Sequence, residues 1–374
     1  MSRVLQITEF FGLPIYIDLS WIIIVLLISW TLAVGWFPYT NPELSTFVHW
    51  LLALTSALLM FASLLAHEIA HSLVARKMGI PIKGITLFIF GGVAQLEKEP
   101  QDPKVEFLMA IAGPLTSIVL GLIFLSCALL LQNIPELSAL DSILTYLMVI
   151  NFIVAIFNLI PGFPLDGGRI LRSIIWHYTK SLRRATAYAS SAGKFFAYLL
   201  IFYGVVNFFL GAFIGGLWAI LIGFFLREAA ASSYQQIITK STLRGISIRD
   251  IMTPNVIAIP ATSSITEAIE EYFLKYHHMT FPVIQYDRIV GLVSLQDIKK
   301  IDKDKWSHEN ISELMTPISE KYVLHPEEQA VEALTHMVRD DLPALPIVED
   351  NQLLGVISQR DILKVLKIKM DLEG

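Results

Sequence analysis

The chain has 374 residues, of which 54% are hydrophobic and only 16% are charged. Soluble domains carry about a quarter charged residues, so this composition excludes an ordinary soluble enzyme. The net charge of −5 lacks the basic footprint of a nucleic-acid-binding protein, and no nucleic-acid partner is expected. A single cysteine, Cys127, excludes a disulfide framework and a thiolate zinc cluster.

The charged residues are distributed unevenly along the chain. Residues 1–231 contain 13 Lys and Arg and 12 Asp and Glu, whereas residues 232–374 contain 15 and 21. The first part is therefore depleted in charge, and the second reaches the level of soluble domains. This contrast predicts a multi-pass α-helical membrane domain at 1–231, followed by a soluble module.

Six apolar runs are long enough to predict transmembrane helices, which need about 20 mostly apolar residues. The last two runs are short and are separated by the turn-like pair Leu210 and Gly211, so they predict a tight helical hairpin. The six runs are 18–37, 46–75, 105–131, 141–160, 195–210 and 212–227.

Lysine and arginine occur in only two of the five connections between these runs. By the positive-inside rule, these two loops and both termini are predicted to be cytoplasmic. The first residues lack the features of a signal peptide or transit peptide, which favours a prokaryotic cell membrane. The loop charges are Arg76, Lys77, Lys83, Lys98 and Lys104, and then Arg169, Arg172, Lys180, Arg183, Arg184 and Lys194.

The end of the second apolar run carries the motif His67-Glu68-x-x-His71. Residues four apart on a helix share a face, with Cβ atoms about 5–6 Å apart, so both imidazoles can bind one Zn²⁺. Glu68 lies beside His67 and can act as a general base without being a ligand. A chance match is the alternative interpretation, but ionisable residues in membrane helices are costly and usually functional.

The third ligand is predicted after the fourth apolar run, in the segment 158–168. Pro161, Gly162 and Pro164 break the helix there. Irregular backbone at membrane depth is tolerated only where it is buried in protein or lines an aqueous cavity. A catalytic zinc needs three protein ligands and an open position, so we predict Asp166 as the third ligand. The alternative is that Asp166 caps a helix.

Together, these motifs resemble the site-2 protease family of intramembrane zinc metalloproteases, peptidase family M50. The resemblance covers about residues 1–230 and implies Asn158 as an active-site residue that stabilises the oxyanion or holds the substrate backbone. It further implies one zinc ion bound by His67, His71 and Asp166, with Glu68 as the general base. The resemblance rests on the His-Glu-x-x-His motif together with Asn158-x-x-Pro161 and Leu165-Asp166-Gly167.

Two smaller features fit the same family. Residues 84–96 resemble its membrane-embedded β-hairpin, and Gly113-Pro114-Leu115 resembles an element that is often followed closely by Asn, where this chain has Thr116-Ser117. A substrate helix must unwind before hydrolysis, and each amide freed in lipid costs several kcal/mol. Pairing with a strand of 84–96 would satisfy those amides by strand addition. A purely structural hairpin is the alternative.

The soluble part contains an internal repeat with an offset of 63 to 64 residues. Residues 249–254 match 312–317, and residues 291–298 match 355–362. Each unit is predicted to run helix, strand, strand, helix, and the two together resemble a tandem α/β CBS module. The predicted boundaries are 232–248 for a linker rich in Ser, Thr and Gln, 249–303 for the first repeat and 304–374 for the second.

The resemblance to CBS modules implies that Ser-x-x-Asp at the start of each last helix can hold an adenine nucleotide. The free amides of the helix N-terminus would bind the phosphate. Ordinary N-capping explains the same residues, so nucleotide binding stays open. Dimerisation through the CBS pair also stays open. The nucleotide candidates are Ser294, Asp297, Ser358 and Asp361. Five histidines are expected to be solvated or to pack between modules, namely His277, His278, His308, His325 and His336.

These features predict a zinc metalloendopeptidase that cleaves transmembrane protein substrates in the lipid bilayer near the cytosolic face, in regulated proteolysis. The cytosolic CBS pair is predicted to be a regulatory appendage that senses adenine nucleotides. A transporter or channel gated by that pair is the main rival, since six helices would suit it. No inverted repeat is evident in the sequence, however, and the polar residues have metal-ligand spacing. A catalytically inactive scaffold is disfavoured by the intact Glu68.

Overall fold

The computed structural model describes residues 4–89, 91–96, 99–254, 256–286, 288–319, 322–340, 342–349 and 352–373. The chain divides into two compact units, Met1–Gln235 and Gln236–Gly374. The division falls inside the segment 232–248 that the sequence predicts as a linker, and this segment is helical as far as Leu243.

The first unit is mainly helical and has the predicted multi-pass class. Within the described residues, six helical stretches are long and apolar enough to cross a membrane, at Ser20–Thr40, Thr46–Lys77, Pro103–Leu131, Pro135–Asn158, Leu182–Phe209 and Phe213–Leu243. The helices are α1 (Ser20–Thr31), α2 (Phe37–Thr40), α3 (Thr46–Lys77), α4 (Pro103–Leu131), α5 (Ser138–Asn158), α6 (Asp166–Thr179), α7 (Leu182–Phe209) and α8 (Phe213–Leu243). A π-helical turn at Leu32–Trp36 joins α1 to α2, and a 3₁₀ turn at Pro135–Leu137 precedes α5.

The last two long helices correct the prediction of short spans. α7 and α8 have 28 and 31 residues, because both continue beyond their apolar runs. The added segments, 182–194 and 228–243, are rich in Ala and long polar residues that favour helix without being apolar. The predicted turn between α7 and α8 is present, and Gly211 adopts a φ of 96° there.

α4 is the central helix around which the site is assembled, since it packs against α3, α5 and α6. Its residues Glu106, Met109, Gly113 and Ser117 are all buried. They are three or four positions apart, so they share one face of the helix.

Arg172 is a buried member of the predicted loop charges. The sequence places it among the cytosolic loop charges, but it lies on α6, is buried and pairs with Glu106 of α4. Arg172 still lies in the connection between the two spans, which the positive-inside rule counts. The predicted orientation of this connection also rests on its other Lys and Arg residues.

A four-stranded sheet belongs to the same unit, with strand order β1-β2-β3-β4. The predicted hairpin at 84–96 is present as the antiparallel strands β3 and β4, although Phe90 lies outside the described residues. β2 pairs in parallel with β3, so β3 is enclosed on both sides and β4 forms an edge. The strands are β1 (Val4–Phe10), β2 (Leu13–Asp18), β3 (Ile82–Phe88) and β4 (Gly91–Leu96).

The second unit contains one sheet for each sequence repeat, with orders β6-β7-β8-β9 and β10-β11-β5. Its strands are β5 (Thr253–Pro254), β6 (Ile259–Pro260), β7 (Thr280–Gln285), β8 (Arg288–Ser294), β9 (Thr316–Pro317), β10 (Ala344–Glu349) and β11 (Gln352–Ser358). Its helices are α9 (Ile248–Ile251), α10 (Ile265–Glu267), α11 (Leu274–Tyr276), α12 (Leu295–Ile298), α13 (Ile311–Leu314), α14 (Ala330–Arg339) and α15 (Gln359–Glu373). A π-helical turn at Ala268–Phe273 joins α10 to α11, and a 3₁₀ turn lies at Lys303–Lys305.

Each repeat completes the sheet of the other. β5, at the start of the first repeat, pairs with β11, and β9, at the start of the second, pairs with β8. A Cβ atom at Gly291 would lie 2.6 Å from the Met315 sulfur, and one at Gly355 would lie 2.9 Å from the Met252 sulfur. The Met-Thr-Pro motif of each repeat therefore packs against the glycine of the other repeat.

Candidate active site

Three predicted ligands converge where α3 meets α6. His67 and His71 occupy successive turns of α3 and are 2% and 7% exposed. Their Nε2 atoms are 3.1 Å apart. The Oδ2 atom of Asp166, the first residue of α6, lies 3.1 Å from the Nε2 atom of His67 and 3.2 Å from that of His71. The structure thus brings together two residues of one helix and a third that lies 95 positions or more away.

α4 holds the outer ring nitrogens of both histidines. The Nδ1 atom of His71 lies 2.6 Å from the backbone carbonyl oxygen of Met109. A carbonyl oxygen can only accept, so Nδ1 carries the proton and Nε2 of the neutral ring keeps its lone pair. The Nδ1 atom of His67 lies 2.9 Å from Oγ of Ser117. The lone pair on His71 therefore meets the Asp166 carboxylate, and two such acceptors repel each other unless a cation lies between them.

This donor set fits zinc. Two imidazoles, one carboxylate and an open position are typical of catalytic zinc sites. Tetrahedral bonds of about 2.0–2.1 Å place ligand atoms about 3.3 Å apart, close to the observed 3.1, 3.1 and 3.2 Å. Hydrogen bonds to the second ring nitrogen, as formed by Met109 and Ser117, orient zinc-binding histidines in general.

Gly113 provides the space that the two imidazoles occupy. A Cβ atom at this position would collide with the Nε2 atoms of both His67 and His71. The sequence assigns Gly113 and Ser117 only to a supporting element, without identifying either contact. Gly113 and Ser117 are four residues apart on an otherwise apolar helix, so they share one helix face. That spacing is the signal that could have predicted that both face the site.

Glu68, the predicted general base, lies next to the ligands. It is half-buried, and within the described residues its carboxylate forms no hydrogen bond and no ion pair. Its Cγ atom packs against Gly92 of β4, where an added Cβ atom would lie 2.6 Å away. The edge strand of the sheet and the candidate base are therefore direct neighbours.

Close backbone packing places Asp166 at the site. A Cβ atom at Gly167 would collide with the carbonyl oxygens of Leu159 and Ile160, and one at Gly168 would collide with the backbone of Gly162. The two glycines thus let the first turn of α6 lie directly on the broken end of α5. The Asp166 carboxylate bonds the histidines rather than amides of its own helix, so the capping interpretation does not describe it.

Asn158 forms no hydrogen bond that joins it to this cluster among the described residues. It is the last residue of α5 and is half-buried. In the part of the chain that the structure describes, its side chain forms no hydrogen bond to the three ligands or to Glu68. Its role in catalysis stays a prediction.

In the second unit, Ser358 and Asp361 line a cavity of about 710 Å³. The Oγ atom of Ser358 lies 2.6 Å from Oδ2 of Asp361 at the start of α15. Arg360, His277 and His278 line the same cavity. The sequence gives these two histidines only a solvated or packing role, because spacing alone does not reveal that α11 ends beside the second repeat.

Ser294 and Asp297 have a different environment. They form a capping box at α12, and Oδ1 of Asp297 lies 2.8 Å from Nζ of Lys300. Burial raises the pKa of Asp297, but hydrogen bonds from Lys300 and Ser294 outweigh it and lower the pKa below its usual value. Among the described residues that line the cavity, neither Ser294 nor Asp297 is present.

Comparison with known proteins agrees with this geometry. The model of peptidase family M50 matches residues 55–142 and 132–202, and the CBS domain model matches residues 248–304 and 311–368. A Synechocystis sp. protein that carries the name of a zinc metalloprotease is 35% identical over 370 residues, covering 98% of this chain and 96% of the relative. This chain belongs to peptidase family M50.

Two further relatives of this M50 protease match it over most or part of its length. The Mycobacterium tuberculosis protein named as zinc metalloprotease Rip3 is 31% identical over 363 residues, covering 96% of this chain and 91% of the relative. The solved site-2 protease from Methanocaldococcus jannaschii is 28% identical and covers 62% of this chain and 95% of that one, with a TM-score of 0.43. The predicted class, a zinc-dependent membrane protease with a CBS pair, is confirmed by the family matches, and the transporter interpretation is not supported.

Proposed function

We propose that this protease hydrolyses peptide bonds within transmembrane segments of membrane proteins, near the cytosolic face, as a step in regulated proteolysis. The observation that supports this most is the convergence of His67, His71 and Asp166 beside the Glu68 carboxylate, which has no partner in the part of the chain that the structure describes. The two histidines lie on α3, which is long enough to span a membrane, so the substrate bond would be reached within the bilayer.

The chemistry divides between the metal and the side chains. Zinc, when bound, supplies Lewis acidity that polarises a carbonyl and lowers the pKa of water. Glu68 accepts the proton of the attacking water and passes it to the leaving amine, as a general base and then a general acid. Its carboxylate is available for this because no described residue binds it. Asn158 is proposed to hold the substrate backbone or the oxyanion.

The edge strand β4 is proposed as the place where the unwound substrate binds. β3 already pairs on both sides, whereas β4 pairs only with β3 among the strands that the structure describes. An edge strand presents unpaired backbone groups that a further extended segment can use. Because Gly92 of β4 packs on Glu68, a substrate strand paired there would pass close to the base.

The membrane orientation is also a proposal. Arg76 and Lys77 lie in the last turn of α3, and we place this end at the cytosolic surface by the positive-inside rule. His67 precedes Arg76 by nine residues, so it lies about 13 Å below that end at a rise of 1.5 Å per residue. Both termini and the second unit would then be in the cytoplasm, in a prokaryotic cell membrane.

The cavity at Ser358 and Asp361 is proposed to bind an adenine nucleotide. The free amides at the start of α15 and the charge of Arg360 suit a phosphate group, and the Asp361 carboxylate can accept hydrogen bonds from ribose hydroxyls. Ser294 and Asp297 are the second predicted pair, but Lys300 already engages Asp297. A homodimer formed through the CBS pair stays a prediction.

The test of the main function is a comparison of membrane proteomes from cells that express the wild type or Glu68→Gln. Single-pass membrane proteins should accumulate uncut in the variant, and their cytosolic fragments should disappear. Glu136→Gln, which changes an exposed glutamate in the turn before α5, is the matched control and should behave as wild type. Identical fragments in the wild type and Glu68→Gln would exclude the proposed function.

A further inference from the structure

A buried ion pair joins α4 to α6 close to the proposed metal centre. Glu106 on α4 is 1% exposed and Arg172 on α6 is 5% exposed. The Nε atom of Arg172 donates to Oε1 of Glu106 at 2.7 Å, and a terminal nitrogen of the same guanidinium donates to that oxygen as well. The other carboxylate oxygen, Oε2, is buried and has no hydrogen-bond partner among the described residues.

Stability is a poor explanation for this pair. Removing two charges from water is costly, and an unsatisfied buried carboxylate oxygen adds to the cost. Replacement of such pairs by well-packed apolar residues is often neutral or stabilising. An ion pair does, however, define a distance and a direction, because a planar guanidinium binds a carboxylate in few orientations.

On the α4 side, the pair is continuous with the groups that orient the histidines. Glu106 precedes Met109 by one helical turn on the same buried face. The Met109 carbonyl accepts the hydrogen bond of His71, and Ser117, two turns further along that face, holds His67. A shift of α4 at Glu106 therefore moves the Met109 carbonyl one turn away, and with it the His71 ring, while the Ser117 contact to His67 lies beyond Pro114 on the same helix.

On the α6 side, the pair is continuous with the third ligand. Arg172 follows Asp166 by six residues on the same helix, and its guanidinium carbon lies 5.0 Å from the ring centre of Phe163, in the segment that precedes α6. Gly167 and Gly168 give the first turn of α6 close backbone packing but no side chain with which to fix its rotation. Arg172 supplies that fixed point.

We propose that the Glu106–Arg172 pair is a positioning device that sets the distance between the Asp166 carboxylate and the two imidazoles, and thereby the zinc affinity. This inference rests on the proposed zinc site. The pair touches neither metal nor substrate, so its effect passes through α4 and α6. Its loss should alter metal binding more than the folding of the chain.

The test compares the purified full-length proteins Glu106→Gln and Arg172→Lys with the wild type. Zinc affinity is measured by competition with a chelator, thermal unfolding is followed without metal, and cleavage is measured at limiting and saturating zinc. Both variants should bind zinc about 10- to 100-fold more weakly, the range seen when groups that orient metal ligands are removed. Saturating zinc should restore most of kcat with KM unchanged. The double variant should be no weaker than the single ones.

Lys104→Gln is the matched control, because it removes an exposed charge from the same end of α4 and should keep wild-type zinc affinity. Wild-type affinity in folded Glu106→Gln and Arg172→Lys would overturn the proposal. Failure of both variants to fold would also overturn it, since the pair would then serve stability. If the wild type itself neither binds zinc nor cleaves, the proposed function fails instead, so the two failures are distinguishable.

Discussion

The Oγ atom of Ser117 lies 2.9 Å from the Nδ1 atom of His67, and this contact ties α4 to the first of the two clustered histidines of α3. The Met109 carbonyl makes the equivalent contact with His71. α4 contributes no ligand of its own to the cluster of three, yet it determines which nitrogen of each imidazole faces Asp166. The centre is therefore built from three helices, two that supply ligands and one that orients them.

Ser117→Ala should weaken zinc binding by about 10- to 100-fold, because the His67 ring loses the hydrogen bond that orients it. Chelator competition on the purified protein measures this. Ser126→Ala is the matched control, since that exposed hydroxyl on the same helix bonds only the Leu122 carbonyl. Ser117→Asn, which restores the amide that the family often carries near this position, should stay close to the wild type. Equal affinities in Ser117→Ala and the wild type would contradict the orienting role.

Gly113→Ala should abolish zinc binding, because the added methyl group would occupy the space of both imidazoles. The metal content after purification should fall below about a tenth of the wild-type value, a loss comparable to removal of a group that supports the ligands. Gly215→Ala on α8 is the control, since a Cβ atom there meets nothing within 4 Å. A Gly113→Ala protein with full zinc content would show that the rings do not lie where the structure places them.

The convergence of the three candidate ligands could be predicted from the sequence for simple physical reasons. His67 and His71 are related by helical periodicity, and Asp166 follows a helix break that polar backbone tolerates only in a protected place. The groups that orient these side chains could not be predicted from the sequence. The Met109 contact is a backbone carbonyl, which any residue could supply, and Ser117 resembles any small polar residue of a membrane helix.

Long-range packing explains the other differences. Tyr16 lies opposite Thr86 in the parallel pairing of β2 and β3, across 70 residues that carry no local sign of it. The sequence lists Arg172 only as a loop charge, because its ion pair with Glu106, 66 positions away, has no local signal. The lengths of α7 and α8 were underestimated because an apolar run marks only the part of a helix that lies in lipid, not its polar extension.

Substrate pairing with β4 predicts a specific cross-link. In a Cys127→Ser, Glu68→Gln background, Val93→Cys in β4 should form a disulfide with a cysteine placed near the cleavage site of a transmembrane substrate, because the paired strands lie side by side. Gln6→Cys in β1, the opposite edge of the same sheet, is the control and should not cross-link. Non-reducing gel electrophoresis after mild oxidation detects the product. Equal cross-linking at both edges would argue against strand addition at β4.

Nucleotide binding should depend on the second repeat rather than the first. Asp361→Asn should weaken binding of AMP or ATP to the full-length protein by about tenfold or more, since a charged hydrogen-bond acceptor in the cavity is lost. Asp297→Asn, its counterpart in the first repeat, should have little effect because Lys300 already engages that carboxylate. Isothermal titration calorimetry distinguishes the two. Binding that is insensitive to Asp361→Asn would place the nucleotide elsewhere.

Two imidazoles and one carboxylate are proposed to hold a zinc ion, with Glu68 as the general base beside it. Zinc content and substrate cleavage, measured together on liposome-reconstituted wild type, Glu68→Gln and His67→Ala, test it most directly. Glu68→Gln should keep its zinc while cleavage falls by about 10²- to 10⁴-fold, the usual contribution of a general base. His67→Ala should lose both zinc and cleavage. Cleavage at the wild-type rate by Glu68→Gln, or a full zinc complement in His67→Ala, would contradict the account.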